Sequence, residues 1–185
     1  TYAINDDGTE YGVTDCSESA SGSLEIPSIY NGLPVTSIGI GAFLNCTSLT
    51  GISIPNGVSS IGNGAFYNCN SLTSINIPTS VSSIETGVFA DCSGLISIII
   101  PDNVNSIQEY AFQSCTSLTR IIFEGNAPTF ETDVFLYSDS VTIYYDSNYS
   151  GWSSTVAGRP AVQTNTLTYA INDDGTEYGV TDCSE

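Results

Sequence analysis

The sequence predicts a mainly β fold: a solenoid of 23-residue coils with an N-terminal hairpin cap and a C-terminal cap of strand and aromatic side chains. Three observations predict it. Phe43, Phe66, Phe89, Phe112 and Phe135 recur every 23 residues, and Cys46, Cys69, Cys92 and Cys115 keep the same step, as do Leu49, Leu72, Leu95 and Leu118. Self-similarity at such a period marks a chain whose units bury their apolar sides only against their neighbours. Within a unit, Ile75 and Ile77 alternate with Ser74 and Asn76, the period-2 signature of a half-buried strand. Finally, the first eighteen residues, TYAINDDGTEYGVTDCSE, return unchanged at residues 168–185, a step of 167.

The elements follow in order. Residues 1–23 read as a capping hairpin, with "TYAI" and "TEYGV" flanking Asn5-Asp6-Asp7-Gly8, since Asp-Gly is a strong tight-turn signal. Residues 24–152 read as the solenoid with its C-terminal cap. One full unit is LTSINIPTSVSSIETGVFADCSG, Leu72 to Gly94. Pro78 ends its first strand, because it lacks the amide that a ladder needs. Val81 and Ile84 mark a second short strand, and a turn of small residues then brings Phe89 and Cys92 inward. Stacked at the ordinary strand spacing of about 4.8 Å, equivalent phenylalanines form an internal column that fixes the register. Val141 to Tyr145 reads as a closing strand, with Tyr149 and Trp152 as a lid over the last coil. Residues 153–167 have linker composition, and Thr168 restarts the N-terminal cap.

The stretch Asn45 to Cys69, "NCTSLTGISIPNGVSSIGNGAFYNC", resembles the BspA-like leucine-rich repeats of bacterial and microbial surface proteins. The motif runs C-x-x-L, then I-x-I-P, then V-x-x-I, then A-F or V-F, over roughly Leu24 to Tyr145. Leu24 to Phe43 resembles the family's first coil, with an insertion around Tyr30 to Gly32. The resemblance implies a right-handed leucine-rich-repeat solenoid, and it implies that the periodic cysteines are buried thiols. Glu124 stands where proline is expected, and "NAPTF" (Asn126 to Phe130) replaces the V-x-x-I segment. Both departures suggest a repeat degenerating towards its cap.

Composition narrows the function. Twenty acids face Arg120 and Arg159, with no Lys or His, for a net charge of −18. Such a chain repels nucleic acid, whose phosphates need Lys and Arg, and anionic membrane surfaces. No stretch reaches the roughly 20 apolar residues of a membrane span, so membrane insertion of this segment is not expected. Hydrophobic residues make up 41% of the chain, enough for a core. The sequence reads as a piece of a longer protein, with any export signal upstream.

Chemistry has little to stand on. Without histidine, Ser-His-Asp and Cys-His nucleophiles are excluded, and the expectation is a protein without catalytic residues or cofactor. Asp6, Asp7, Glu10, Asp15 and Glu18 cluster in the cap and read as solvated turn residues. The "NDDGTE" spacing fails the D-x-D-x-D-G calcium loop. A thiolate metal site is not expected either, because equal spacing along an axis does not give tetrahedral ligands. Cys46, Cys69, Cys92 and Cys115 form a core ladder at a spacing that also permits disulfides between neighbours. Cys16, off the period and copied as Cys183, has Cys46 as a possible partner. Asn45-Cys46-Thr47 and Asn148-Tyr149-Ser150 are sequons, Asn148 being expected to be the more reachable.

The strand's outward positions change along the stack, from Thr50 and Ser53 through Thr73 and Asn76 to Ile96 and Ile99, then Thr119 and Ile122. Ile96, Ile99 and Ile122 are expected to form one exposed apolar patch bordered by Arg120, an interface candidate. Two functions fit. One is a non-enzymatic extracellular structural or adhesive module, repeated head to tail with copies of itself to build a cell-surface filament or stalk. The copied ends fit tandem modules, or a repeating window along a fibre; an accidental duplication is the alternative. The other function, implied by the resemblance, is an adhesin module that captures surface or matrix proteins of a host or neighbouring cell.

Overall fold

The structure, a computed structural model, describes residues 1–5, 7–17 and 19–164, together with the backbone strands at 168–171 and 178–181. Its described elements are all β. In chain order they are β1 (Tyr2–Ile4), β2 (Tyr11–Val13), β3 (Ser21–Glu25), β4 (Ile29–Tyr30), β5 (Leu33–Ile38), β6 (Ser48–Ser53), β7 (Ser60–Ile61), β8 (Ser74–Ile75) and β9 (Ser83–Ile84). There follow β10 (Ser97–Ile100), β11 (Ser106–Ile107), β12 (Arg120–Phe123), β13 (Thr129–Phe130), β14 (Thr142–Asp146), β15 (Thr155–Val156), β16 (Arg159–Thr164), β17 (Thr168–Ile171) and β18 (Tyr178–Thr181).

Each coil has three sides, as the apolar spacing dictates. The first is a long parallel ladder: β3, β6 and β8, then the Asn76–Ile99 bridge, then β10, β12, β14 and β16. Registers step by one coil, Gly51 opposite Ser74 and Ile99 opposite Ile122. The second side carries the short strands, β2, β5 and β7 in one sheet and β9, β11 and β13 in another. The third is the phenylalanine turn, where amides bond forward to the next coil, as Phe43 N to Ala65 O at 2.7 Å and Phe66 N to Val88 O at 2.9 Å. Inside, the five phenylalanines stack at centroid spacings of 5.1, 5.6, 5.4 and 5.8 Å, with interplanar angles of 18° or less. The expected column is there, and the leucine, valine and isoleucine columns are buried beside it.

The caps follow from the same need to cover the ends. β1 and β2 form the expected antiparallel hairpin, and β2 docks in parallel on β5. Its turn is held by Asn5, whose Oδ1 accepts the amides of Thr9 and Glu10, and by Asp7, whose Oδ1 accepts from Thr9. Asp6 and Glu18, grouped with these acids on sequence, lie outside the described residues. In the degenerating coil, Thr129 and Phe130 still pair with Ser106 and Ile107, so "NAPTF" keeps the second side without its V-x-x-I motif. Trp152 lids the coil, stacking on Tyr145 at 4.8 Å and giving its Nε1 proton to Gly125 O at 3.2 Å. Tyr145, more than Tyr149, is its partner.

The linker reading of 153–167 needs correction. β15 and β16 form a hairpin over residues 155–164, and β16 pairs in parallel with β14. The reason is the open edge of β14, which would otherwise leave a row of unpaired amides and carbonyls. Arg159 pins this hairpin, its Nη2 donating to Phe135 O at 2.8 Å and to Asp139 at 2.9 Å. Residues 165–167 lie outside the described residues. Of the copied segment, the backbone of β17 and β18 is described, paired Tyr169 to Val180 and Ile171 to Tyr178. Those are the pairings of Tyr2 with Val13 and Ile4 with Tyr11 in the first copy.

Candidate functional site

The candidate site lies on the outward face of the long ladder. Because side chains alternate across a strand, Ile98 and Ile100 point into the core while Ser97 and Ile99 point out; on β12, Ile121 and Phe123 point in and Arg120 and Ile122 out. The outward residues line a groove of about 400 Å³. Its polar end is built from Ser53, Ser74 and Asn76, and its apolar end from Ile99, Arg120 and Ile122. Asn76 is held in place by the backbone of Ile54, which it bonds in both directions at 3.3 and 3.2 Å, leaving one N–H of its amide uncommitted by these bonds.

The structure brings together three of the four predicted interface residues. Ile99, Arg120 and Ile122 line the groove. Ile96, 54% exposed, precedes β10 and lies outside it. The expectation that Ile122 belongs to an exposed patch is wrong: it is only 2% exposed. The register places it between Ile99 on one side and Tyr144 on the other, and two bulky neighbours close over it. Tyr144 was not legible as a site residue, because it follows Ile122 by 22 residues and so falls off the period. It matters, since the Arg120 guanidinium sits over its ring, 5.0 Å from the centroid. Among the described residues the salt bridge is Arg159 with Asp139, and Arg120 has no carboxylate within that reach.

The cysteine ladder is a second organised set. Cys69, Cys92 and Cys115 each donate a thiol proton to a phenylalanine carbonyl one coil back, Phe43, Phe66 and Phe89, all at 3.1 Å. Burial, the largest cause, pushes Cys69 and Cys115 up to about 12 and Cys92 well above its ordinary value. These are neutral thiols that fill space and satisfy buried carbonyls, not nucleophiles. Ser138 stands one period after Cys115 and does the same, donating to Phe112 O at 2.6 Å; the spacing could have revealed it. All five described cysteines are free, and Cys183 lies outside the described residues.

The sequons differ in setting. Asn148 is exposed in a turn held by Asp146. Asn45 is half-buried at φ 59°, its Oδ1 accepts from Asn68 Nδ2 at 2.8 Å, and fully buried Cys46 follows it.

Known proteins agree with this geometry. The family model for the BspA type leucine rich repeat region, in six copies, matches residues 19–152. The chain belongs to that family. Among solved structures, a leucine rich repeat protein of T. pallidum is 26% identical at a TM-score of 0.71, covering 78% of this chain and 67% of its own. A leucine rich cell surface protein of Faecalibacterium prausnitzii is 30% identical at 0.71, covering 83% and 38%. A leucine-rich repeat protein of Bacteroides capillosus is 34% identical at 0.58, covering 67% and 93%. The chain thus spans about two thirds of the first of these proteins and under two fifths of the second. No curated protein matches significantly. As a BspA-type repeat protein, the chain has the architecture of a protein-interaction module.

Proposed function

We propose that this BspA-type solenoid is a non-enzymatic extracellular module, repeated head to tail at a 167-residue period in a structural and adhesive cell-surface stalk or filament. The observation that carries the reading is the copied cap: eighteen identical residues recur after the solenoid has closed, and their strands pair in the same register as the first copy. A cap is useful only at the start of a stack, so a second cap implies a second stack. The surface location is supported by the resemblance to the F. prausnitzii protein, described as a cell surface protein. A chain with twenty acids and only two cations is strongly net negative, which keeps such copies soluble through mutual repulsion.

Electron microscopy of chains holding one, two and four periods tests it. The expected result is an elongated particle that lengthens by a constant increment per period. Compact particles, or modules without a constant axial spacing, would refute it.

The groove favours a second reading, an adhesin module that captures a partner protein. Its support is Arg120, a half-buried cation with no carboxylate in salt-bridge reach among the described residues of a chain of −18, next to the apolar surface of Ile99. Ile99→Asp is the variant to use, because Ile99 is half-buried. Ile122→Asp would bury a charge and test folding instead. Loss of partner or self-association in Ile99→Asp, with an unchanged unfolding midpoint, supports the groove. Unchanged association removes it.

A further inference from the structure

The sulfur ladder breaks at its first rung. Cys69, Cys92 and Cys115 each reach a phenylalanine carbonyl 26 residues upstream, but Cys46 has the cap below it instead of a coil. Its thiol faces Ser17 O at 3.6 Å, and the Cys16 thiol approaches the same oxygen at 3.7 Å. Both contacts are longer than the ladder's 3.1 Å. Two sulfurs converging on one acceptor are no farther apart than the sum of those two distances, so the shared carbonyl places the Cys16 and Cys46 thiols side by side.

We infer that Cys16 and Cys46 are a disulfide-forming pair that staples the N-terminal cap to the first coil. The other ladder thiols are fully buried and hydrogen-bonded, so they compete poorly. Cys16 is half-exposed while Cys46 has no exposed surface, and this asymmetry sets the order of events. The Cys16 thiolate attacks a small-molecule disulfide, forming a mixed disulfide and releasing one thiolate. Cys46 then loses its proton to solvent and attacks the Cys16 sulfur, releasing the second. Two protein thiols and one disulfide become one protein disulfide and two small thiols. The second step is the slow one, because burial followed by the Cys16 contact pushes the Cys46 thiol up to about 12.

The bond would close a loop of some thirty residues between β2 and β6, restricting the unfolded chain. The midpoint of thermal unfolding is expected to rise on the order of 10 °C. The test uses the full chain with Cys183→Ser, so that the copied cysteine cannot exchange. It is equilibrated in mixed oxidised and reduced glutathione, mapped by peptide mass spectrometry and melted. The expected result is a mass loss of two hydrogens, a Cys16–Cys46 peptide and the higher midpoint, all abolished by Cys16→Ser, which leaves the core cysteines in place. Three outcomes overturn the proposal: a stable glutathione adduct on Cys16 with Cys46 free, a bond between two ladder cysteines, or equal midpoints for the oxidised and reduced chains.

Discussion

Removing one ring from the middle of the phenylalanine column tests what holds the coils in register. Phe89 is fully buried and stacked on both faces, 5.6 Å from Phe66 at 5° and 5.4 Å from Phe112 at 15°. Truncating a buried phenylalanine to alanine costs about 3–5 kcal/mol, with more when the site cannot collapse. Here it cannot, because the strands on the other two sides fix the separation of the coils above and below. Two stacked partners, each worth roughly 0.5–1.5 kcal/mol beyond burial, place Phe89→Ala near the top of that range. Phe135 ends the column: it has one stacked neighbour at 5.8 Å and a tilted contact with Phe130 at 6.3 Å. Phe135→Ala should therefore cost about 3 kcal/mol, near the bottom of the same range. Urea unfolding followed by circular dichroism, with Trp152 fluorescence reporting the C-terminal end, measures both. A cost below about 2 kcal/mol for Phe89→Ala, or one no larger than for Phe135→Ala, would show that the column does not set the register.

The buried thiols predict a loss of stability in alkali. Their folded pKa values lie above those of free thiols, so the folded chain holds these protons longer. Stability is intact below about pH 9 and falls as the pH rises towards 12, by about 1.4 kcal/mol per pH unit per thiol. Urea midpoints between these limits, under reducing conditions, should fall less steeply in Cys115→Ala; an unchanged slope would contradict the assignment. At the C-terminal cap, Arg159→Met removes the bond to Phe135 O and should cost about 1–2 kcal/mol by Trp152 fluorescence. Asp139→Asn should cost less than about 0.5 kcal/mol, because Asp139 is 85% exposed and its ion pair is solvent-screened. Tyr137 is 65% exposed at φ 60°, and Tyr137→Asn should raise the unfolding free energy by about 0.5–1 kcal/mol, since asparagine tolerates that backbone better. A fall in stability would mean that the tyrosine ring is held by contacts its exposure does not suggest.

The solenoid was legible because its core is made of repeated like-with-like contacts, so each buried column leaves a periodic trace. What the sequence hid depends on neighbours that break the period. Nothing local marks RPAVQT as a strand: it carries a proline and follows Ala157-Gly158, both at positive φ. It pairs because β14 presents an open edge at the place the chain reaches. The burial of Ile122 has a related reason. An outward position is exposed only if its row neighbours are small, and the closing neighbour, Tyr144, comes from a coil one residue short. The groove was therefore legible as a drift from polar to apolar residues, but its depth and its Arg120–Tyr144 contact were not.

The corners of the coils show which force wins when local preference and stacking disagree. Gly41, Gly64 and Gly87 turn the chain at φ 60°, 58° and 61°, a region glycine enters freely. One and two coils further on the same corner is held by Tyr110 at 60° and Asp133 at 55°. A residue with a Cβ is disfavoured there by roughly 1–2 kcal/mol, yet the backbone does not relax to another conformation. Relaxing would shift the turn that delivers Phe112 and Phe135 to the column, and each buried ring is worth more than the strain at its corner. The columns dictate the corners. Propensity shows in which residues fill the corners: glycine at 41, 64 and 87, and asparagine or aspartate at the next corner in Asn45, Asn68 and Asp91, with Tyr110 and Tyr137 the bulky exceptions in the later coils.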